Sequence, residues 1–105
     1  MKRITNNDEF NEVINSSNLT VVKFGAEWCG PCKMMNTTIE TIENEFNKVN
    51  FVEVDVEEGS NDDIVSRFNI RNIPVLIFMK NGDTLSKSVG AISKDVLIEK
   101  IREFE

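Results

Sequence analysis

The sequence predicts an α/β fold, a central mixed sheet of about five strands flanked by about four helices, and three observations carry that reading. Residues 19 to 56 read as strand, helix, strand, a unit whose crossover is right-handed and whose strands lie parallel. Asn81-Gly82 separates the runs Val75 to Lys80 and Thr84 to Val89, and it is a strong short hairpin signal because both turn positions favour positive φ. Those two strands must be antiparallel. Finally, 105 residues match one domain of roughly 100–150 residues, so residues 1–105 form a single domain with helices able to cover both faces of one sheet.

Each element has its own signal. Lys2 to Ile4 reads as a short first strand. Thr5 and Asp8 make a T-x-x-D start, and Phe10, Val13 and Ile14 mark one face of a helix ending near Ser16. Leu19 to Gly25 is apolar on both faces except at Lys23, which suits a central strand of a parallel region. Met35, Ile39, Ile42, Phe46 and Val49 fall at i, i+4, i+7, i+11 and i+14, one stripe of a long helix. Phe51 to Val56 follows as a strand, and Ser60 with Asp63 offers a second capping box before Ile64, Val65 and Phe68. After Gly90, a helix from about Ser93 buries Leu97, Ile98, Ile101 and Phe104.

Composition narrows the function. Apolar residues at 40% and charged residues at 29% sit near globular averages, which excludes collagen-like, disordered and membrane-embedded classes. A net charge of −6, without a Lys/Arg cluster, argues against nucleic acid as a partner. Met1 to Thr5 runs into Asn6, Asn7, Asp8 and Glu9 with no apolar segment of the secretory type, and the longest apolar stretch, Ile73 to Met79, is far short of the roughly 20 residues that span a bilayer. A cytoplasmic location with no membrane partner is therefore expected.

Chemistry concentrates at Cys29 and Cys32, the only two cysteines. As a structural staple they would close a loop of four residues, contributing only about 2 kcal/mol by chain entropy. A zinc or iron–sulfur site wants four Cys or His ligands, and a chain with no histidine could supply them only by sharing a site between two copies. Reversible disulfide exchange needs only two neighbouring thiols.

The segment Trp28-Cys29-Gly30-Pro31-Cys32-Lys33 lies between a strand end and the start of the long helix. Unpaired backbone N–H groups and the helix dipole there favour a thiolate on Cys29. Position then assigns roles: Cys29, at an exposed helix tip, attacks a target disulfide, and Cys32, one turn further in, resolves the mixed disulfide. Gly30 admits a substrate backbone, and Pro31 fixes φ where its missing N–H costs nothing.

At this point the run Phe24 to Lys33 resembles the active-site segment of the thioredoxin family, with W-C-G-P-C as its specific motif. Glutaredoxins and disulfide isomerases typically carry other residues between their cysteines. Ile70-Arg71-Asn72-Ile73-Pro74 resembles the family's loop with a cis-proline beside the disulfide, and Lys80-Asn81-Gly82 and Val89-Gly90-Ala91 match later turns, so the likeness runs nearly end to end. It implies the thioredoxin fold, reduction of protein disulfides as a general electron donor, re-reduction by a thioredoxin reductase, a monomer, and no cofactor beyond the cysteine pair. It also implies that Trp28, Ile73, Pro74 and Gly90 line an apolar surface for the target chain. The attacking cysteine of this family is itself the standard example of a pKa lowered from about 8.5 to about 7. At neutral pH such a shift raises the thiolate fraction about 16-fold and lowers intrinsic nucleophilicity about fivefold, so docking and alignment must supply most of the advantage.

Two departures from the family stand out. The resemblance puts a buried Asp at the position of Lys23 and a Lys near that of Glu53, and here the signs are exchanged. If the register matches, Lys23 and Glu53 form an ion pair beneath Cys32, with Glu53 or a water as proton acceptor; alternatively Lys23 snorkels to solvent and Glu53 is simply exposed. Gly25 stands where the family often has a bulky aromatic, which leaves the region beside the disulfide more open. A different function class remains at this stage: a thioredoxin-fold binding subunit whose role does not require its thiols.

Overall fold

The computed structural model describes residues 1–105. In chain order the elements are β1 (Lys2–Ile4), α1 (Asn7–Ile14), β2 (Thr20–Gly25), α2 (Gly30–Ile42), β3 (Asn50–Asp55), α3 (Asp62–Arg67), β4 (Val75–Lys80), β5 (Asp83–Val89) and α4 (Lys94–Phe104). The five strands form one sheet in the order β1-β3-β2-β4-β5. β1 and β2 run parallel to β3, while β2 with β4 and β4 with β5 run antiparallel, so the sheet is mixed as predicted. Asn81 and Gly82 have φ of 54° and 81°, the left-handed pair that a tight hairpin turn requires.

Strand alternation sorts the core into two layers. Val21, Phe51, Leu76 and Phe78 pack with Met35 and Ile39 of α2 and Leu97 and Ile101 of α4. Val22, Phe24, Val52, Val54 and Ile77 pack with Phe10 and Ile14 of α1 and Ile64 of α3 on the other side. Helices therefore cover both faces, and each fully buried side chain, such as Phe10, Phe24 or Phe78, contributes roughly 1.5–3 kcal/mol. The same parity places Arg3, Lys23, Gly25, Glu53 and Asp55 on the α2 side, at the end of the sheet where α2 begins.

Three sequence expectations need correction. The first helix is capped by Asn6, not Thr5: Asn6 Oδ1 accepts the Glu9 N–H at 2.8 Å, and Glu9 Oε1 accepts the Thr5 N–H at 3.2 Å. An Asn followed three residues later by Glu makes the reciprocal box one position downstream of the T-x-x-D pattern, and the helix ends at Ile14 rather than near Ser16.

The second helix stops at Ile42, followed by a 3₁₀ turn over Glu43–Glu45 that Phe46 leaves with ψ of 67°. Phe46 and Val49 are nonetheless in the same core layer as Met35 and Ile39. Their spacing recorded which side faces the core, and a turn and loop satisfy that requirement as well as a continuous helix.

The Ser60–Asp63 box does not form. Ser60 lies in a 3₁₀ turn, and α3 starts behind Asn61 with no side-chain cap. The Asn61 side chain is buried instead, donating to the carbonyls of Ile4 at 3.3 Å and Asp55 at 3.1 Å, which ties the ends of β1 and β3 together.

Candidate active site

The sequence between β2 and α2 makes a short loop and a helix start, and Cys29 is the N-cap of α2. Its φ and ψ are −87° and 111°, and its Sγ accepts the Cys32 N–H at 3.2 Å. One of the orphan N–H groups of the first turn is thus aimed at sulfur, while Pro31 in that turn has none to satisfy. Cys29 and Cys32 are joined in a disulfide with their Cα atoms 5.2 Å apart.

The expected exposure of Cys29 is corrected: it is 5% exposed, because its bonded sulfur packs with Ala26, Cys32, Val56 and Ile73. Its neighbours Trp28, Gly30 and Pro31 are exposed, whereas Cys32 has no surface at all. Of the two sulfur-bearing residues, only Cys29 touches solvent.

The residues expected on the substrate side are distributed as follows. Ile73 is half-buried and packs on the cysteine cluster. Pro74 is buried, follows a cis peptide bond, and its carbonyl accepts the Gly90 N–H at 2.8 Å. Gly90 has a φ of 92°, where a side chain would be strained. The loop before β4 and the end of β5 are thereby clamped together close to the disulfide.

Trp28 presents its ring to solvent, 70% exposed, while its indole N–H donates to Glu57 Oε1 at 2.7 Å. Glu57 was missed in the sequence reading, as was Asp55, whose Oδ1 accepts the Glu57 N–H at 2.9 Å. The available signal was an Asp at a strand end, which commonly bonds the N–H two residues on.

On the inner side the expected register holds, since Lys23 pairs with Glu53 across β2 and β3, and Arg3 pairs with the same Glu53 across β1 and β3. Lys23 Nζ lies 3.7 Å from Glu53, and Arg3 lies 3.8 Å from Glu53 and 2.7 Å from Asp55. The Lys23 side chain is only 4% exposed, which removes the snorkelling alternative, while Glu53 keeps partial contact with solvent at 24%. Burial pushes the Lys23 ammonium below the usual lysine range, opposed by the nearby charge of Glu53.

With this geometry in place, comparison with known proteins is decisive. The thioredoxin family model matches residues 2–103. The chain belongs to the thioredoxin family. It is 36% identical over 102 residues to a thioredoxin of Mycoplasmoides gallisepticum, covering 97% of this chain and 100% of that one. It is 39% identical over 92 residues to thioredoxin H2 of Arabidopsis thaliana, covering 88% of this chain and 67% of the relative. Among solved structures, a thioredoxin of Plasmodium falciparum superposes with a TM-score of 0.88 at 31% identity, covering all of both chains. The predicted thioredoxin fold is thus observed. A thioredoxin-family chain with a Cys29–Cys32 disulfide in a W-C-G-P-C segment is a thiol–disulfide oxidoreductase, a disulfide reductase of the thioredoxin type. Thioredoxins act on disulfide targets and are reduced in turn by a thioredoxin reductase.

Proposed function

We propose that this thioredoxin is a general electron donor to protein disulfides, a monomer in the cytoplasm that needs no cofactor beyond the Cys29/Cys32 pair and receives its electrons from a thioredoxin reductase. The observation that carries the reading is the placement of Cys29 as N-cap of α2, bonded to Cys32 and packed against the Ile73 side of the cis-proline loop. Trp28, Ile73, Pro74 and Gly90 hold the target chain, with Gly30 and Pro31 shaping the turn.

In the reduced protein the Cys29 thiolate attacks one sulfur of the target disulfide. That bond breaks, the other target sulfur leaves as a thiolate and takes a proton from water, and a Cys29–target mixed disulfide forms. The Cys32 thiolate then attacks Cys29 Sγ, expelling the second target sulfur. Two electrons pass to the target, and the protein is left with the observed disulfide.

A redox titration coupled to reduction of a test protein disulfide checks this reading. Trp28 is the only Trp and adjoins Cys29, so its fluorescence should change with the disulfide. With dithiothreitol as electron source the chain should accelerate reduction catalytically. No redox-linked fluorescence change together with no acceleration would contradict it.

A further inference from the structure

Gly25 ends β2 on the same face as Lys23, directly across the sheet from Asp55. A Cβ placed there would lie 2.9 Å from both Cε and Nζ of Lys23 and 3.1 Å from Cys32 Cβ. The end of the lysine side chain and the resolving cysteine therefore flank one small notch, and the ammonium sits within about 6 Å of Cys32 Cβ. Glycine is what leaves that notch open. The φ at Gly25 lies outside the left-handed region, so backbone conformation does not explain the residue.

We propose that Gly25 and Lys23 act as a unit, in which the missing side chain at position 25 seats the Lys23 ammonium beside Cys32, where it stabilises the Cys32 thiolate that releases the target. Gly25 and Lys23 are positioning residues that act through Cys32. The inference rests on the reading of Cys32 as the resolving thiol.

The charge surroundings support it. Glu53 is the nearest counter-charge to Lys23, but it is 3.7 Å away and is shared with Arg3 at 3.8 Å, while Arg3 makes its short contact to Asp55 instead. Arg3 and Lys23 thus face two carboxylates, and because the closest contact of the four is Arg3 to Asp55, the Lys23 ammonium is held loosely by Glu53 at 3.7 Å while lying beside Cys32. A polar cavity of about 440 Å³ opens beside the group, and the other titratable side chains around it are Glu27 on the β2–α2 loop and Lys33 on α2. Lys23 and Gly25 both line the cavity, so it brings solvent to the edge of the notch that Cys32 flanks. In the resolving step Cys32 loses its proton to water, its sulfur attacks Cys29 Sγ, the Cys29–target bond breaks, and the departing target thiolate is protonated from solvent. Lys23 keeps its proton throughout. An opposite charge at about 4–6 Å typically moves a pKa by 1–3 units.

The test uses the full chain with Cys29→Ser, which leaves Cys32 as the only thiol, and follows thiolate absorbance against pH. Lys23→Met should raise the Cys32 pKa by about one unit, a tenfold loss of thiolate at any pH well below it. Gly25→Ala should raise it too with Lys23 present and have no effect in the Lys23→Met background, because its action passes through the ammonium. A Cys32 pKa that is unmoved or lowered by Lys23→Met would overturn the proposal. An equal shift from Gly25→Ala in both backgrounds would also overturn it, since the effect would then be pressure on Cys32 Cβ. If Gly25→Ala does not fold, Lys23→Met alone decides, and an unmoved Cys32 pKa in that variant overturns the proposal. This titration needs no target protein, so a failure of reductase activity in the parent chain and a failure of the Lys23 effect are separately visible.

Discussion

The two sides of the Cys29–Cys32 disulfide are built from different material. The outer side has an exposed indole at Trp28, a half-buried Ile73 and a backbone clamp between Pro74 and Gly90. The inner side has Arg3, Lys23, Glu53 and Asp55 arranged across three neighbouring strands, with a glycine notch at position 25. The outer side depends on backbone conformations and apolar contact, for which few sequences will serve. The inner side sets Arg3 and Lys23 against Glu53 and Asp55 beside a cysteine with no exposed surface. Backbone geometry and apolar contact thus shape the side that meets solvent at Trp28, and ion pairing shapes the side next to Cys32.

The largest effect expected from breaking the outer side is at Cys29 itself. Cys29→Ser should lower disulfide reduction to the rate of dithiothreitol alone, as read by turnover of a test protein disulfide, because no nucleophile remains at the N-cap.

The next effect is an asymmetry on the inner side. Glu53→Gln leaves the buried Lys23 ammonium with no carboxylate at 3.7 Å and should cost about 1–3 kcal/mol in urea unfolding, below the usual range for a fully buried pair because Glu53 is partly exposed. Lys23→Met removes the buried charge and leaves Glu53 near Arg3, so it should cost less than about 1 kcal/mol or stabilise. Equal losses in the two variants would contradict a partly solvated carboxylate serving a buried ammonium.

A pH dependence sharpens the same side. The folded-state pKa of Lys23 lies below its unfolded value of 10.5. Between the two values the unfolded chain binds more protons than the folded one, so stability rises with pH through that window, and the gain is lost as pH falls through the folded pKa. Urea midpoints measured up to pH 10.5 should show this rise in the parent chain and not in Lys23→Met. The smallest effect returns to the outer side: Glu57→Ala removes the acceptor of the Trp28 indole and should cost about 0.5–1.5 kcal/mol, with a shift in Trp28 emission and little change in the reduction rate.

Much of this was legible in the chain. The parallel strand–helix–strand unit, the Asn81-Gly82 hairpin and the alternation that buries both faces of β2 are local patterns, and they survive folding because the core rewards them. Helix ends were less legible: Phe46 and Val49 kept the spacing of α2 although the helix had ended, and Asn6 took the cap from Thr5 because two capping boxes overlapped. At the site, Cys29 and Cys32 followed from their position between a strand end and a helix start, whereas Lys23 and Glu53 stood out through the family resemblance and only the paired strands fix their register. The burial of Cys29, the Glu57 partner of Trp28 and the fit of the Lys23 ammonium against Gly25 depend on contacts between segments, which periodicity does not encode.

The most direct measurement of the division between the two sides is a trapping experiment. Cys32→Ser protein, reduced and mixed with a disulfide-containing target, should accumulate a mixed disulfide that peptide mapping places at Cys29. The Cys29→Ser protein should trap almost none, because Cys32 has no exposed surface. Efficient trapping through Cys32, or no trapping in either variant, would contradict the assignment of Cys29 as attacker on the outer side and Cys32 as resolver on the inner one.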